Sequence, residues 1–208
     1  MVFLILEGIN GSGKSALAAA LMHAWRRTGG ISAQTVDTVG HSTFGRQVRS
    51  AIMEARDLNP LAETLAFASA RVHGLSRLRQ ETGDRTRHLC ILERWSGAVT
   101  AYGQAAGIPA HILRTVSDLL QAAAEGIPQI LVDTPGTIAD ARLATQPDLN
   151  RFETQGPNYL EKVRKAYLRW AGDCGARVVS GTDPPADIER LANELVATVA
   201  APESRVEP

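Results

Sequence analysis

The strongest constraint on the fold of this chain is a glycine-rich segment near its N-terminus. Residues 8–15 read GINGSGKS and match the pattern G-x-x-x-x-G-K-S/T without a mismatch. An apolar run predicts a strand directly before this segment, and a helical pattern starts near Lys14. Between a strand and a helix, such glycines let backbone N–H groups turn inward around a phosphate, and the positive end of the helix dipole adds to the attraction.

The sequence therefore predicts a phosphate-binding loop that contains Gly8, Asn10, Gly11, Ser12, Gly13, Lys14 and Ser15. We expect Lys14 to bridge the β- and γ-phosphates of ATP and the Ser15 hydroxyl to ligate Mg²⁺. The alternative is an ordinary glycine turn in which Lys14 is merely exposed. Because GTPases, motor ATPases and small-molecule kinases share this loop, the phosphoryl acceptor must be inferred from other residues.

Short β-rich runs alternate with longer helical patterns, which is typical of a parallel sheet covered by helices on both faces. The predicted strands are residues 2–6, 33–36, 88–92, 129–133 and 177–180. The predicted helices are residues 14–27, 44–55, 61–80, 98–104, 110–124, 157–171 and 186–199. The sequence thus predicts one doubly wound α/β domain over residues 1–200, with a five-stranded parallel sheet and the fold of a P-loop kinase.

Composition indicates which cellular compartment and which binding partners to expect. The chain has 22 basic and 22 acidic residues and a formal net charge of +0, so we expect neither a nucleic-acid nor a membrane partner. No apolar run approaches the ~20 residues needed to span a bilayer, and the apolar start is too short for a signal peptide. Cys90 and Cys174 lack the spacing of a metal site. We therefore expect a cytoplasmic protein that binds a small molecule and has no metal cage.

A charged pair follows the third predicted strand. Glu93 and Arg94 stand at its carboxyl end, which is where ligands bind in open α/β sheets. Arg94 is suited to hold the phosphate of an acceptor with its planar guanidinium, and Glu93 to hold Mg²⁺ through water. The alternative is a surface pair in a strand-to-helix turn. We expect Trp95 simply to pack.

The helix predicted from Leu61 carries a second candidate set. Helical spacing places Leu61, Leu65, Ala68, Val72 and Leu75 on one apolar face, and it places Glu63, Phe67 and Arg71 on the opposite face. Phe67 is suited to stack on a nucleobase and Arg71 to bond a base carbonyl. Alternatively, Phe67 packs under a neighbouring loop and Arg71 is solvated.

Residues 144–156 are poor in apolar side chains, and we expect them to form a short lid. The lid contains Arg151, with Arg142 before it and Arg164 after it. An arginine that closes on the transferring phosphoryl group would neutralise its spread charge, although each could also be a solvated surface residue. Residues 201–208 are polar, and we expect a disordered tail.

The chemistry of the acceptor separates two kinds of kinase. A phosphate acceptor ionises by itself near neutral pH because its second pKa is about 6, so it needs positioning and charge more than a general base. A hydroxyl acceptor needs a base. Asp37, at the carboxyl end of the second strand, is where such a base could stand.

Taken together, these residues resemble the thymidylate kinase family of nucleoside monophosphate kinases over nearly the whole chain. The phosphate loop, the helix with Phe67 and Arg71, and the Glu93-Arg94-Trp95 segment resemble family motifs in the family's order. The resemblance implies that Arg94 binds the acceptor phosphate and that Tyr102, in Ala101-Tyr102-Gly103, lies beside the deoxyribose. It also implies a lid arginine, because the phosphate loop has no basic residue between Asn10 and Gly13.

The departures from the family cluster around the acceptor. Asn10 and Glu93 stand where aspartate is usual, and Trp95 stands where tyrosine is usual. After the second strand, residues 37–42 lack the usual arginine and proline, and two serines before the tyrosine appear as Ala98 and Val99. The acceptor side is therefore altered while the ATP side is intact.

The resemblance implies ATP-dependent phosphorylation of a deoxynucleoside monophosphate to the diphosphate. We expect dTMP, giving dTDP, or a related or modified pyrimidine deoxynucleotide, and ATP with Mg²⁺ as cofactors. Two alternatives stay open: a deoxynucleoside kinase that uses Asp37 as base, and a nucleotide-binding protein without turnover. Because family members are often homodimers, the resemblance also implies a possible homodimer.

Overall fold

Five parallel strands form one sheet at the centre of the computed structural model, which describes residues 1–55, 57–81, 87–147 and 154–200. The strands are β1 Val2–Glu7, β2 Ser32–Asp37, β3 His88–Glu93, β4 Gln129–Asp133 and β5 Arg177–Ser180. Their order across the sheet is β2-β3-β1-β4-β5, and every pair is parallel. The predicted α/β fold with a five-stranded parallel sheet is confirmed.

Helices connect the strands and cover both faces of the sheet. They are α1 Lys14–Arg27, α2 Thr43–Glu54, α3 Pro60–Glu81, α4 Ser96–Ala105, α5 Ala110–Ala123, α6 Gly136–Leu143, α7 Pro157–Cys174 and α8 Pro185–Ala200. The seven predicted helices agree with the structure to within three residues at each end. The sequence patterns gave no bounds for α6, which carries Arg142 and leads into the segment predicted as a lid.

The inner strands are apolar on both sides because helices pack on both sides of them. Alternate residues of β1 point to opposite faces: Leu4 and Leu6 pack with Leu21 of α1 and Val196 of α8, whereas Ile5 packs on the other face. On that face lie α3, α4 and α5, followed by α6 and α7. Two apolar layers thus hold the sheet, and the carboxyl ends of its strands lie together at one edge.

The predicted core stripe of α3 is partly wrong. Ala68 and Leu75 are buried, but Leu65 is 48% exposed and Val72 is 41% exposed. The face of α3 that packs inward also includes Thr64 and Arg71, which are polar and buried. Hydrophobic periodicity misses this face because the helix covers a polar cleft along part of its length.

Three further observations concern the thiols, metal-binding clusters and long apolar helices of the described residues. Cys90 is buried, Cys174 is exposed, and both are free thiols. Within the described ranges, no cluster of three His, Cys, Asp or Glu side chains has the arrangement of a metal site. None of the helices formed by those residues combines the length and the apolar character that crossing a membrane requires.

Two glycines in helices give a matched test of the packing of α3. A Cβ at Gly74 would overlap the carbonyl oxygen of Thr38, whereas a Cβ at Gly172 in α7 would meet nothing within 4 Å. We expect Gly74→Ala to lower the free energy of unfolding by about 1–3 kcal/mol because the added methyl has no room. Gly172→Ala should raise it by about 0.5–1 kcal/mol because alanine favours the helix. Urea denaturation measures both, and equal effects would contradict the close approach of α3.

Candidate active site

A cleft of about 640 Å³ opens at the carboxyl ends of β1, β2 and β3. The chain runs from β1 to β2 and β3 on one side of the sheet and later to β4 and β5 on the other. The topological switch point therefore lies beside β1, where open α/β sheets bind ligands. The cleft brings together residues predicted from distant parts of the sequence: Asn10, Gly11, Lys14, Ser15, Phe67, Arg71, Glu93, Arg94 and Tyr102.

The phosphate loop needs its glycines for two reasons. Gly8, Gly11 and Gly13 have φ values of 141°, 74° and 98°, which side chains rarely adopt. A Cβ at Gly8 would lie 2.5 Å from the carbonyl oxygen of Val132, and one at Gly11 would lie 2.5 Å from that of Ala139. The loop therefore turns sharply and lies directly on the β4–α6 region.

Lys14 and Thr134 hold the loop from inside. The Lys14 ammonium donates to the carbonyl oxygens of Gly8 and Ile9 at 3.0 and 2.8 Å, and the Lys14 side chain is buried. The Thr134 hydroxyl donates to the carbonyl oxygen of Ser12 at 2.8 Å. Ser15, which follows Lys14 in the first turn of α1, is exposed and lines the cleft. An ammonium group and an exposed hydroxyl thus lie together at the phosphate loop.

Arg94 has the most unusual backbone at the site. Its φ is +64°, and within the described ranges it is the one residue other than glycine with a positive φ. Its Nη1 donates to the Tyr102 hydroxyl at 3.1 Å, and its Nη2 donates to Oδ1 of Asn10. The guanidinium carbon lies 5.3 Å from the centre of the Tyr102 ring. The left-handed turn therefore directs Arg94 into the cleft, between the phosphate loop and α4.

Phe67 and Arg71 lie together on the wall formed by α3. The guanidinium carbon of Arg71 lies 5.6 Å from the centre of the Phe67 ring, and Nε of Arg71 donates to the carbonyl oxygen of Arg94 at 3.2 Å. Burial lowers the pKa of Arg71, and the charge of Glu7 opposes this effect. Nη1 of Arg71 is buried and has no hydrogen-bond partner among the described residues. The arrangement offers a flat apolar surface beside a donor.

Two carboxylates stand side by side at the ends of β2 and β3. Asp37 and Glu93 are paired in the register of the sheet, and both line the cleft near Ser15. Oδ2 of Asp37 lies 2.7 Å from Nη2 of Arg49, and Oδ1 accepts a hydrogen bond from the Val39 amide at 3.0 Å. Sequence reasoning missed Arg49, whose position on the amphipathic α2 was the available signal. Arg49 lines the cleft from α2, the helix that follows residues 37–42.

Arg142 lies between the phosphate loop and the loop after β5. Its Nη1 donates to the carbonyl oxygens of Gly11 and Gly181 at 3.1 and 3.0 Å. A second cavity of about 260 Å³ adjoins this contact and is lined by Gly13, Asp183 and Leu191 together with Arg142. Arg142 therefore lies against the phosphate loop and lines the second cavity rather than the cleft.

Of the other two arginines near the predicted lid, the structure describes Arg164 but not Arg151. Arg151, and the part of the predicted lid that contains it, lie outside the described residues. Arg164 forms an ion pair with Asp133 through two hydrogen bonds of 2.6 and 2.7 Å and bonds Glu161 at 3.0 Å. The hydrogen bonds to Asp133 raise the pKa of Arg164. Arg164 is thus part of the contact between α7 and β4.

Two further residues close to Arg94, namely Trp95 and Glu7, are fully buried. Trp95 is fully buried and donates from Nε1 to the carbonyl oxygen of Leu120 at 2.7 Å, in agreement with the prediction that it packs. Glu7, the last residue of β1, is also fully buried. Sequence reasoning missed Glu7 because a carboxylate at the end of an apolar strand is expected to be solvated.

A phosphate loop on β1, a parallel sheet and a cationic cleft at its carboxyl edge define a P-loop phosphotransferase of the nucleoside monophosphate kinase class. The family model described as thymidylate kinase matches residues 6–192. The chain therefore belongs to the thymidylate kinase family.

Curated relatives agree with this assignment. The chain is 27% identical over 203 residues to a probable thymidylate kinase of Pyrobaculum aerophilum, which covers 96% of this chain and 98% of the relative. It is 27% identical over 199 residues to a thymidylate kinase of Nitrosomonas eutropha, with 95% and 91% of the two chains covered. A thymidylate kinase of Chromobacterium violaceum is 26% identical over 178 residues, covering 85% and 83%. The similarity thus extends over the whole domain.

Arg142 gives a direct test of how the donor side is built. Arg142→Ala removes two hydrogen bonds that join the phosphate loop to the β5–α8 loop. We expect the KM for ATP to rise about tenfold, with the KM for the acceptor changed less than about twofold, because charged hydrogen bonds of this kind stabilise a loop by 1.5–3 kcal/mol. Steady-state kinetics with each substrate varied in turn measures both constants. Arg169→Ala, which removes an exposed contact to Gln104, is the control and should leave both unchanged.

Proposed function

We propose that this protein transfers the terminal phosphoryl group of ATP to dTMP, or to a closely related or modified pyrimidine deoxynucleoside monophosphate. The observation that carries the proposal is the convergence of Arg94, Phe67 and Arg71 on the cleft that contains the phosphate loop. A phosphate-binding arginine and a base-binding surface belong to a nucleotide acceptor, and the loop belongs to the donor. Membership of the thymidylate kinase family supports thymine as the base.

On the donor side, we infer that the phosphates of ATP bind the loop and that its base enters the cavity beside Arg142 and Asp183. The two sites share Gly13 and Arg142 as neighbours, so one nucleotide can reach both. Phosphate oxygens would then replace the carbonyl oxygens of Gly8 and Ile9 as partners of Lys14. This exchange places the ammonium at the bridging oxygens where charge develops.

The same edge of the cleft suits Mg²⁺. Ser15 and Glu93 present oxygen atoms to the cleft that also contains Lys14. Mg²⁺ in kinases is held by one or two protein oxygens together with phosphates and water. We therefore propose that the Ser15 hydroxyl binds it directly and that Glu93 binds it through water. Bound there, the ion would neutralise charge on the phosphate oxygens.

On the acceptor side, Phe67 stacks on the pyrimidine and Arg71 donates from Nη1 to a base carbonyl. This role explains why that nitrogen is buried without a partner among the described residues. Arg94 holds the acceptor phosphate, and Tyr102 lies beside the sugar. Ala98 and Val99 line the cleft near Tyr102, so the altered residues form an apolar wall rather than a row of hydroxyls.

The reaction then needs positioning rather than a base. The acceptor phosphate is ionised near neutral pH, and its oxygen attacks the γ-phosphorus in line with the leaving ADP oxygen. Lys14 and Arg94 supply fixed positive charge on the two sides of the reacting groups. We propose that Arg151 closes over this site with the lid and that Arg142 supports the phosphate loop from the donor side.

Contacts of Asp37 favour a monophosphate acceptor over a free deoxynucleoside. Its Oδ2 pairs with Arg49 at 2.7 Å, and its Oδ1 accepts from Val39. A general base needs a carboxylate oxygen within reach of the substrate hydroxyl, and both oxygens of Asp37 are engaged. A deoxynucleoside kinase would need the remaining lone pair of one of these oxygens to face the substrate hydroxyl.

We also infer that the protein is cytoplasmic, in line with its two free thiols, and that it forms a homodimer, as the family resemblance implies. Exposed apolar side chains on two adjoining helices support a surface that contacts a second copy: Leu65 and Val72 of α3, and Leu119 of α5, which is 67% exposed. Burial of such side chains favours association.

Size-exclusion chromatography with light scattering should give twice the chain mass, and Leu119→Asp should shift the measured mass toward that of the monomer.

The proposal is tested by ATP consumption against a panel of deoxynucleoside monophosphates, ribonucleoside monophosphates and free deoxynucleosides, with products identified by mass. A preference for dTMP supports the proposed acceptor. A preference for a free deoxynucleoside would contradict it and make Asp37 the candidate base. ATP binding without transfer to any acceptor would indicate a nucleotide-binding protein without turnover.

Two substitutions separate the acceptor residues. Arg94→Ala should lower kcat/KM for dTMP about 100-fold and leave ATP binding unchanged, because the charge it removes contacts the acceptor phosphate. Arg71→Ala should lower kcat/KM mainly for the preferred base. Lys14→Ala is the reference, since it should lower turnover for every acceptor. If Arg71→Ala affects all acceptors equally, Arg71 does not read the base.

A further inference from the structure

A carboxylate without access to solvent lies beneath the acceptor side of the cleft. Glu7 ends β1, one residue before the phosphate loop, and its exposed fraction is 0%. We propose that Glu7 is a positioning residue that holds Arg94 in its left-handed backbone conformation. The functional consequence rests on the proposed function, in which Arg94 binds the acceptor phosphate.

The contacts of Glu7 lead directly to the residues after Arg94. Oε1 of Glu7 accepts hydrogen bonds from the amides of Trp95 and Gly97 at 2.7 and 2.8 Å. Oε2 accepts from the Tyr167 hydroxyl at 3.2 Å. A Cβ at Gly97 would lie 2.9 Å from the carboxyl carbon of Glu7, so α4 approaches the carboxylate as closely as glycine permits.

Glu7 therefore acts as a remote cap for α4. The residue at the N-cap of this helix is Trp95, whose side chain makes no capping hydrogen bond. The first amides of a helix need an acceptor, and a negative charge there also interacts favourably with the helix dipole. Glu7, at the end of β1, supplies both the hydrogen-bond acceptor and the negative charge. The start of α4 is thus fixed relative to the phosphate loop.

This cap fixes the backbone on both sides of Arg94. The Arg94 amide donates to the carbonyl oxygen of Leu6 at 2.9 Å, and the carbonyl of Arg94 accepts from Nε of Arg71 at 3.2 Å. The next amide, that of Trp95, donates to Glu7. A residue other than glycine at φ +64° carries steric strain. The strained conformation persists because all three neighbouring groups are held, and Glu7 holds the last of them.

Electrostatics adds a second link between Glu7 and the cleft. Burial raises the pKa of Glu7, whereas the hydrogen bond from Trp95 and the charges of Arg71 and Arg94 lower it. All three hydrogen-bond partners of this side chain can donate, which suits a carboxylate, and the charges of Arg71 and Arg94 act on it from nearby. Replacement by glutamine keeps the shape of the side chain but weakens the acceptor of the Trp95 and Gly97 amides.

Glu7→Gln gives the kinetic test. We expect the KM for dTMP to rise about tenfold, while the KM for ATP changes little, since a misdirected Arg94 affects only the acceptor. Tyr167→Phe is the control, because it removes the contact to Oε2 and leaves both amide contacts. Equal increases in both KM values, or a lower Tm with unchanged kinetics, would overturn the positioning role.

A double-mutant cycle tests the inference without any assay of activity. Glycine at position 94 adopts φ +64° without strain, whereas alanine removes the same charge and keeps the strain. Loss of Glu7 lets the backbone relax, so the strain released at alanine offsets part of the lost hydrogen bonding, whereas glycine has no strain to release. The fall in Tm caused by Glu7→Gln should therefore be larger in the Arg94→Gly background than in the Arg94→Ala background, by about 2–4 °C. The same fall in both backgrounds would refute the link to backbone strain, even if Glu7→Gln alone folds poorly.

The two experiments distinguish failure of this inference from failure of the proposed function. If the unmodified protein transfers no phosphoryl group to any monophosphate, the proposed function fails, and the cycle still decides whether Glu7 holds Arg94. If dTMP is phosphorylated but Glu7→Gln lowers Tm equally in the Arg94→Gly and Arg94→Ala backgrounds, the proposed function stands and the role of Glu7 is refuted.

Discussion

The close approach of the phosphate loop to the β4–α6 region is the constraint on which the rest of the site depends. Gly8 and Gly11 turn with positive φ against the carbonyl oxygens of Val132 and Ala139, and Thr134 ties the loop at Ser12. These contacts leave no room for a side chain at position 8 or 11. They also fix the end of β1, from which both the donor and the acceptor side of the cleft are built.

From this fixed point, the two halves of the site are assembled by different means. The donor side uses backbone: loop amides, the start of α1, and carbonyl oxygens joined through Arg142. The proposed acceptor side uses side chains that hold one another, with Arg71 on the carbonyl of Arg94, Arg94 between Asn10 and Tyr102, and Glu7 bonded to the amide that follows Arg94. This division agrees with the resemblance drawn from the sequence, in which the phosphate loop keeps the family pattern and most departures lie around the expected acceptor.

Much of this could be read from the chain because the signals are local. The loop pattern predicts its own conformation, since each glycine occupies a position where the backbone needs one. The apolar runs of β1, β3 and β4 predict buried parallel strands, and the order of strands and helices predicts the fold class. The α3 stripe was wrong at Leu65 and Val72 because hydrophobic spacing assumes that the inward face of a helix is apolar. Here that face covers a cleft and includes Arg71. Glu7 and Arg49 were missed because their partners lie in other elements. Glu7 bonds the start of α4 and Tyr167 of α7, and Arg49 of α2 pairs with Asp37 at the end of β2.

The sequence by itself determined the phosphate loop, the parallel α/β fold and the family, since these depend on short patterns and on periodicity along the chain. Only the tertiary structure decided how the acceptor side is held. The left-handed turn at Arg94, the buried charge of Glu7 and the unpartnered nitrogen of Arg71 each depend on groups distant in the chain. The reason is physical: burial and hydrogen bonding determine whether a charged side chain is solvated or fixed in place, and both are properties of the packed domain rather than of a local segment.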